Sequence, residues 1–177
     1  HLGEVTYFSP LADTSLPDAG FVYLPGGYPE LYLAALSANR QMLQSIRRYV
    51  ESGGKLLAEC GGMMYLCDEI RDKNGDVYPM AGVLHQSATM ENMKLRLGYR
   101  TLLYNETRLK GHEFHYSRLV EQQNPLPSCA VAYTAKGVET DTPLYHYKNV
   151  WAGYTHLYWA DPVGNEWFTK FVIDGNT

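Results

Sequence analysis

The segment KLLAECGGMMYL, Lys55 to Leu66, constrains this chain more than any other. Its first half is short and apolar and follows Gly53-Gly54, the pattern of a helix end succeeded by a buried parallel strand. Its second half places Met63, Met64, Leu66 and Cys67 where they can line the inner side of a helix. Cys60 therefore stands on the corner between strand and helix. A residue on so sharp a turn adopts strained backbone angles, and the chain two positions to either side passes close by. Those positions, Ala58 and Gly62, are both small. At such a corner the side chain is pushed out over the sheet towards the amides of the helix start, which favour a thiolate and stabilise a developing oxyanion. The competing reading is a buried core cysteine, since free cysteine is among the most buried residue types. The small residues on both sides favour the elbow. Cys67 and Cys129 lack this setting and read as core or surface thiols.

The segments around the elbow predict the fold. Val5 to Phe8 predicts a strand, and Ser9 to Asp18, with prolines at 10 and 17, a loop. Phe21 to Leu24 predicts a second strand, apolar throughout as strands covered on both faces are. It runs into Pro25-Gly26-Gly27-Tyr28-Pro29-Glu30, where Pro29 suits a first helical turn and Leu31 to Leu36 a short helix. Met42, Ile46, Tyr49 and Val50 then recur at helical spacing until Gly53. Strand, glycine turn, helices, strand, elbow and helix is the order of an α/β fold, an open and mostly parallel sheet with helices on both faces in flavodoxin-like layering. Ligands in that architecture bind outside the carboxyl ends of the strands, the side on which both glycine turns, 25–30 and 60–62, fall. The second half is less regular. Stretches from Lys94, from His112 and from Pro143 to Ala160 look strand-like, Gln122 to Ser128 a loop, and Asn165 to Val172 a closing helix.

Several function classes are excluded at this level. With 177 residues the chain reads as one domain, and 45% hydrophobic against 19% charged residues is a globular balance. A net charge of −4 offers no basic face for nucleic acid. No apolar run approaches the length of a membrane span. Three cysteines without framework spacing suit a reducing cytoplasm. There is no phosphate-cradling glycine loop with its lysine, and no histidine pair at zinc-ligand spacing, so neither ATP nor a metal is expected in this domain. The chain opens without methionine in a strand-like segment, which reads as part of a longer polypeptide.

The motifs LPGGYPE, AECGGMMYL, LGYR, GHEFHYS and GYTHLYWA, in that order, resemble the glutamine amidotransferase domain of cobyrinic acid a,c-diamide synthases, a class I glutamine amidotransferase-like family. The similarity runs from about Phe8 to Pro162. It implies that residues 1–177 form a single glutaminase domain, the C-terminal part of a two-domain synthase. The other domain of the same polypeptide would be an ATP-binding synthetase using ATP and Mg2+, with a homodimer among the assemblies to expect. The implied activity releases ammonia from glutamine through a thioester on Cys60, for amidation of the a and c carboxylates of cobyrinic acid in cobalamin biosynthesis. Two alternatives stand beside it. One is the same glutaminase serving another tetrapyrrole, nickel-sirohydrochlorin or cobyric acid. The other is a non-catalytic binding or stress-response domain on the same fold, which would need neither the Pro-Gly-Gly turn nor a histidine at 156.

The chemistry assigns roles. A glutamine amide is a poor electrophile, so its hydrolysis needs a thiolate, a proton donor for departing ammonia and donors for the carbonyl oxygen. Cys60 supplies the first. His156 is the expected second, because it ends the predicted strand Val150 to Thr155 and matches the family's catalytic position. His85, His112, His115 and His146 rank lower, although His112 and His115 lie in a family motif. Backbone amides of Gly27 and Gly61, with Gly26 adjoining, are the expected oxyanion and glutamine-binding groups, since a missing side chain lets backbone approach the substrate. Related glutaminases often carry a glutamate two residues after the histidine; here that residue is Tyr158, so the resemblance implies a cysteine-histidine dyad. Glu59, Glu113 and His115 remain candidates for orienting or binding groups.

Overall fold

A computed structural model describes residues 3–174. The first half follows the predicted order: β1 (Phe21–Leu24), a 3-10 turn at Pro29–Leu31, α1 (Leu33–Ala38), α2 (Arg40–Glu51), β2 (Lys55–Glu59) and α3 (Gly61–Leu66). The side chain of Asn39 caps α2 by accepting from the Met42 amide at 3.3 Å, and Met42, Ile46 and Val50 form its buried face. The expected strand at Val5 to Phe8 is not formed. Val5 and Tyr7 are 77% and 92% exposed, and only Phe8 packs against the core. β-propensity without a neighbouring strand leaves the backbone unpaired, and solvent wins.

Beyond the elbow come β3 (Glu69–Arg71), β4 (Val77–Pro79), β5 (Ser87–Thr89), β6 (Arg96–Tyr104), β7 (Thr107–His115), β8 (Arg118–Leu119), β9 (Val131–Thr134), β10 (Glu139–Thr140), β11 (Leu144–Tyr147), β12 (Val150–Gly153), β13 (His156–Leu157) and α4 (Pro162–Asp174). They arrange into three sheets. The central one has the order β1-β2-β12-β11, with β1, β2 and β12 parallel and β11 antiparallel at the edge. An antiparallel sheet, β10-β9-β6-β7-β13, and a small mixed one, β4-β3-β5-β8, complete the fold.

Side-chain alternation along the central strands divides the core in two. Val22, Leu24, Leu56, Ala58, Val150 and Ala152 point to one face, where Met42, Ile46 and Val50 of α2 and Met63 and Leu66 of α3 cover them. Leu57 and Trp151 point to the other, against Trp167 and Phe171 of α4 and against Leu102 and Leu109 of β6 and β7. Helices thus cover both faces, as the α/β reading requires. Trp151, 1% exposed, sits edge-on to Tyr104 and Trp167 with ring centroids 4.8 and 5.1 Å away. Truncating such a side chain to alanine costs about 3–5 kcal/mol.

One predicted boundary changes. β12 ends at Gly153, and the chain then crosses to the antiparallel sheet, where His156 opens β13 opposite His112 of β7. His156 therefore does not end the parallel strand. The apolar run of residues 150–155 conceals this crossing, because both sheets bury it. Among the described residues no helix is long and apolar enough to cross a membrane.

Candidate active site

The carboxyl ends of β1, β2 and β12 converge at Cys60. Its backbone takes φ 50 and ψ −110, a region that costs a non-glycine residue roughly 1–3 kcal/mol. A neighbouring strand and the following helix hold it there: the Cys60 amide donates to the Gly153 carbonyl of β12 at 2.8 Å, and its carbonyl accepts from the Met64 amide of α3 at 3.1 Å. The glycines after it are spatially required. A Cβ on Gly62 would lie 2.3 Å from the Leu24 carbonyl oxygen, and one on Gly61 would lie 2.5 Å from that of Gly27 and 2.8 Å from Cδ of Pro29. The start of α3 therefore lies flat against the end of β1 and the 25–30 turn. The result is an open pocket whose wall is shared by Gly27, Tyr28 and Glu30 from the turn, Cys60 and Met64 from the elbow, and Phe114, His115 and Tyr116 from the end of β7.

His156 reaches this corner from the other sheet. A Cβ on Gly26 would lie 2.3 Å from Cε1 and 3.0 Å from Nε2 of His156, and 3.4 Å from Cβ of Cys60. Glycine at 26 is what lets the imidazole edge come up to the thiol. The opposite ring nitrogen, Nδ1, lies 3.5 Å from Oε2 of Glu59. Glu59 is 3% exposed, and its two oxygens are held independently: Oε1 accepts from the Leu157 amide at 3.0 Å, and Oε2 accepts from the Tyr23 hydroxyl at 2.7 Å. Interaction with the Cys60 thiol, and next with the Glu59 carboxylate, raises the His156 imidazole to about 9. Burial, then the Glu59 charge, pushes the Tyr23 hydroxyl well above its ordinary range, so it stays a donor. The outer face of the His156 ring stacks on His112 with centroids 5.1 Å apart.

Cys60, His156, Glu59, Gly26, Gly27 and Gly61 are thus brought together. Glu113 belongs to a different cluster on the inner face of β7, fully buried and ion-paired to Arg100 at 2.9 Å. Burial pushes its carboxyl up, but the nearby His115 ring and Thr142 hydroxyl and the Arg100 charge together hold it below its ordinary range. It does not face His156. His115 lines the Cys60 pocket, yet its Nδ1 is bound to the Ser117 carbonyl at 2.9 Å and its ring lies flat on Tyr154 at 3.7 Å. A carbonyl only accepts, so that nitrogen carries its proton and the ring is fixed as wall. Tyr158 is 58% exposed, turned to solvent where a carboxylate two residues after the histidine would sit. Tyr23 is the site residue that sequence reasoning missed. It hides in an apolar strand, and only the β1–β2 register, Tyr23 opposite Leu57, puts it on the same sheet face as Glu59.

Comparison with known proteins gives the family and the fold. The family model for the CobB/CobQ-like glutamine amidotransferase domain matches residues 1–163. Hydrogenobyrinate a,c-diamide synthase of Pseudomonas aeruginosa is 39% identical over 160 residues, covering 88% of this chain and 35% of that protein. Cobyrinate a,c-diamide synthase of Fusobacterium nucleatum is 39% identical over 163 residues with the same coverage, 88% and 35%. The chain therefore spans about a third of the length of these relatives. Among solved structures, a glutamine amidotransferase superposes with a TM-score of 0.55 over 86% of this chain and 78% of that one, at 17% identity. PurLQS of Thermotoga maritima superposes with a TM-score of 0.57 over 93% and 81%, also at 17% identity. The two superpositions show a shared fold.

Proposed function

The chain belongs to the CobB/CobQ-like glutamine amidotransferase domain family, and from that premise we propose that it is the glutaminase part of a corrinoid a,c-diamide synthase. It hydrolyses glutamine to glutamate and ammonia. The ammonia serves ATP-dependent amidation of the a and c carboxylates of cobyrinate or hydrogenobyrinate, carried out by a synthetase part of the same polypeptide outside these residues. The names and greater length of the relatives support that assignment. ATP and Mg2+ act in the synthetase part; among the described residues no cluster of His, Cys, Asp and Glu is arranged to hold a metal. All three cysteines are free thiols, which supports a cytoplasmic setting.

One observation carries the glutaminase reading: a strained cysteine whose neighbouring imidazole is backed by a buried carboxylate. The Cys60 thiolate attacks the side-chain carbonyl carbon of glutamine, forming a C–S bond and an oxyanion. Backbone amides of Gly27 and Gly61 receive that oxyanion. As the tetrahedral species collapses, the C–N bond breaks and the His156 imidazolium gives its proton to the nitrogen, so ammonia leaves rather than amide ion. His156, now neutral, takes a proton from water, the hydroxide attacks the thioester, and glutamate and the thiolate are released. Glu59 holds His156 with Nδ1 turned inward and stabilises its positive form throughout.

The decisive experiment quenches the full-length protein during turnover of isotopically labelled glutamine and maps the label by peptide mass spectrometry. A glutamyl adduct on Cys60 is the expected result. A folded protein that hydrolyses glutamine without that adduct rules the mechanism out, and one that neither hydrolyses glutamine nor forms the adduct points to a binding domain.

A further inference from the structure

We propose that Glu30 is the anchor for the α-ammonium group of glutamine, and so the residue that makes this site select a free amino acid over amides lacking that charge. The assignment rests on the glutaminase reading and concerns substrate recognition, apart from the bond-making groups.

The position of Glu30 is set by the elbow. Pro29 packs against Gly61, 2.8 Å from where a side chain there would begin, and Glu30 follows it in the 3-10 turn, on the wall of the pocket that contains Cys60. Besides the Cys60 thiol and Gly27, the rest of that wall is Tyr28, Met64, Phe114, His115, Tyr116 and Ser117; it includes no lysine or arginine, and its imidazole is fixed to the Ser117 carbonyl. Other carboxylates near the thiol are already committed. Glu59 is held by Tyr23, Leu157 and His156, and Glu113 is paired with Arg100. Glu30 alone faces the pocket, and no ion pair to a cationic side chain engages it among the described residues.

Such a group is poised for a cation. It is half-buried, and that burial raises its carboxyl above the ordinary range. Its own backbone amide is a hydrogen-bond partner but brings no charge, and a partly dehydrated carboxylate without a countercharge is unfavourable until a ligand supplies one. Glutamine carries its ammonium four bonds from the carbon that Cys60 attacks, about 5 Å in an extended chain. Cys60 and Glu30 line one and the same pocket, so a single substrate can address both. The carboxylate thus rewards the amino group while the thiol addresses the amide.

The test uses the full-length synthase with Glu30→Gln and Glu30→Asp, and two substrates: L-glutamine and 4-carbamoylbutanoate, which is glutamine without its amino group. Glu30→Gln should raise KM for glutamine roughly 10- to 100-fold with kcat changed by less than about 3-fold, since only a charged hydrogen bond to bound substrate is lost. Turnover of 4-carbamoylbutanoate should stay within about 2-fold of wild type, and Glu30→Asp should recover part of the glutamine preference. Calorimetric titration of both compounds onto the Cys60→Ser protein, with and without Glu30→Gln, reads the same preference as binding alone. Equal losses for both compounds would mean a purely structural residue, and an unchanged preference would mean another group receives the ammonium; either overturns the proposal. A wild-type protein with no glutamine hydrolysis at all would overturn the glutaminase reading as well, which separates the two failures.

Discussion

Glu59 and His156 face each other across 3.5 Å, from the end of a parallel strand and the start of an antiparallel one. The carboxylate that backs the imidazole immediately precedes the nucleophile in the chain. In the proposed mechanism it takes the part of the glutamate that related glutaminases carry two residues after the histidine, so the proposed site is a triad where the resemblance implied a dyad.

Removing that charge while keeping the shape should separate the two arrangements. The Cys60 interaction and then Glu59 raise His156 to about 9, so the imidazolium persists through neutral pH and turnover should fall as pH passes about 9. In Glu59→Gln one of the raising influences is gone, so the alkaline limb should move to lower pH and kcat should drop roughly 10²-fold or more. Folding follows the same sign. A histidine raised above its unfolded value of about 6.5 stabilises the fold fully below that pH and loses the contribution between about 6.5 and 9. A pH–rate profile and a pH series of Tm for both proteins would check this; an unmoved alkaline limb would restore the dyad.

Cys60→Ser should abolish glutamine-dependent amidation by the full-length protein and leave ammonium-dependent amidation intact, because only the ammonia source is removed. Steady-state assays with each nitrogen donor measure it. An equal loss with ammonium would contradict the division of labour.

Gly26→Ala places a methyl 2.3 Å from Cε1 of His156. The obstacle is a side chain, so the imidazole should swing away from the thiol while the fold persists. We expect at least about 10²-fold lower glutaminase turnover with Tm lowered by no more than about 4 °C, roughly the effect of 1 kcal/mol in a domain of this size. A large fall in Tm with a proportionate loss of soluble protein would show instead that position 26 serves the fold.

Tyr158→Phe should cost less than about 10-fold, far below the penalty for losing a triad acid. Its side chain is 58% exposed, and the proposed carboxylate role belongs to Glu59, 3.5 Å from the imidazole. Parallel kinetics of Tyr158→Phe and Glu59→Gln would compare the two; a larger loss at Tyr158 would reverse the assignment.

The amino-acid sequence by itself determined the elbow. Ala58, Cys60, Gly61 and Gly62 impose their steric demands on adjacent backbone, and a strand, sharp turn and helix follow from residues next to one another. The apolar runs at Phe21 to Leu24 and Lys55 to Ala58 likewise marked strands, and the order of elements implied their parallel pairing; β2 is covered on both faces, whereas β1, at the sheet edge, leaves Tyr23 exposed. Tertiary structure alone decided which carboxylate meets the imidazole. Glu59 and Glu113 look alike as candidates, but the β1–β2 register sets Glu59 beside Tyr23, while β7 turns Glu113 inward to Arg100. It also decided that Val5 to Phe8 finds no sheet, and that the run ending in His156 breaks at Gly153 to change sheets. Period-two alternation means that a slip of one residue in pairing reverses which face a side chain occupies, and pairing between segments distant in the chain is set only when the whole core packs.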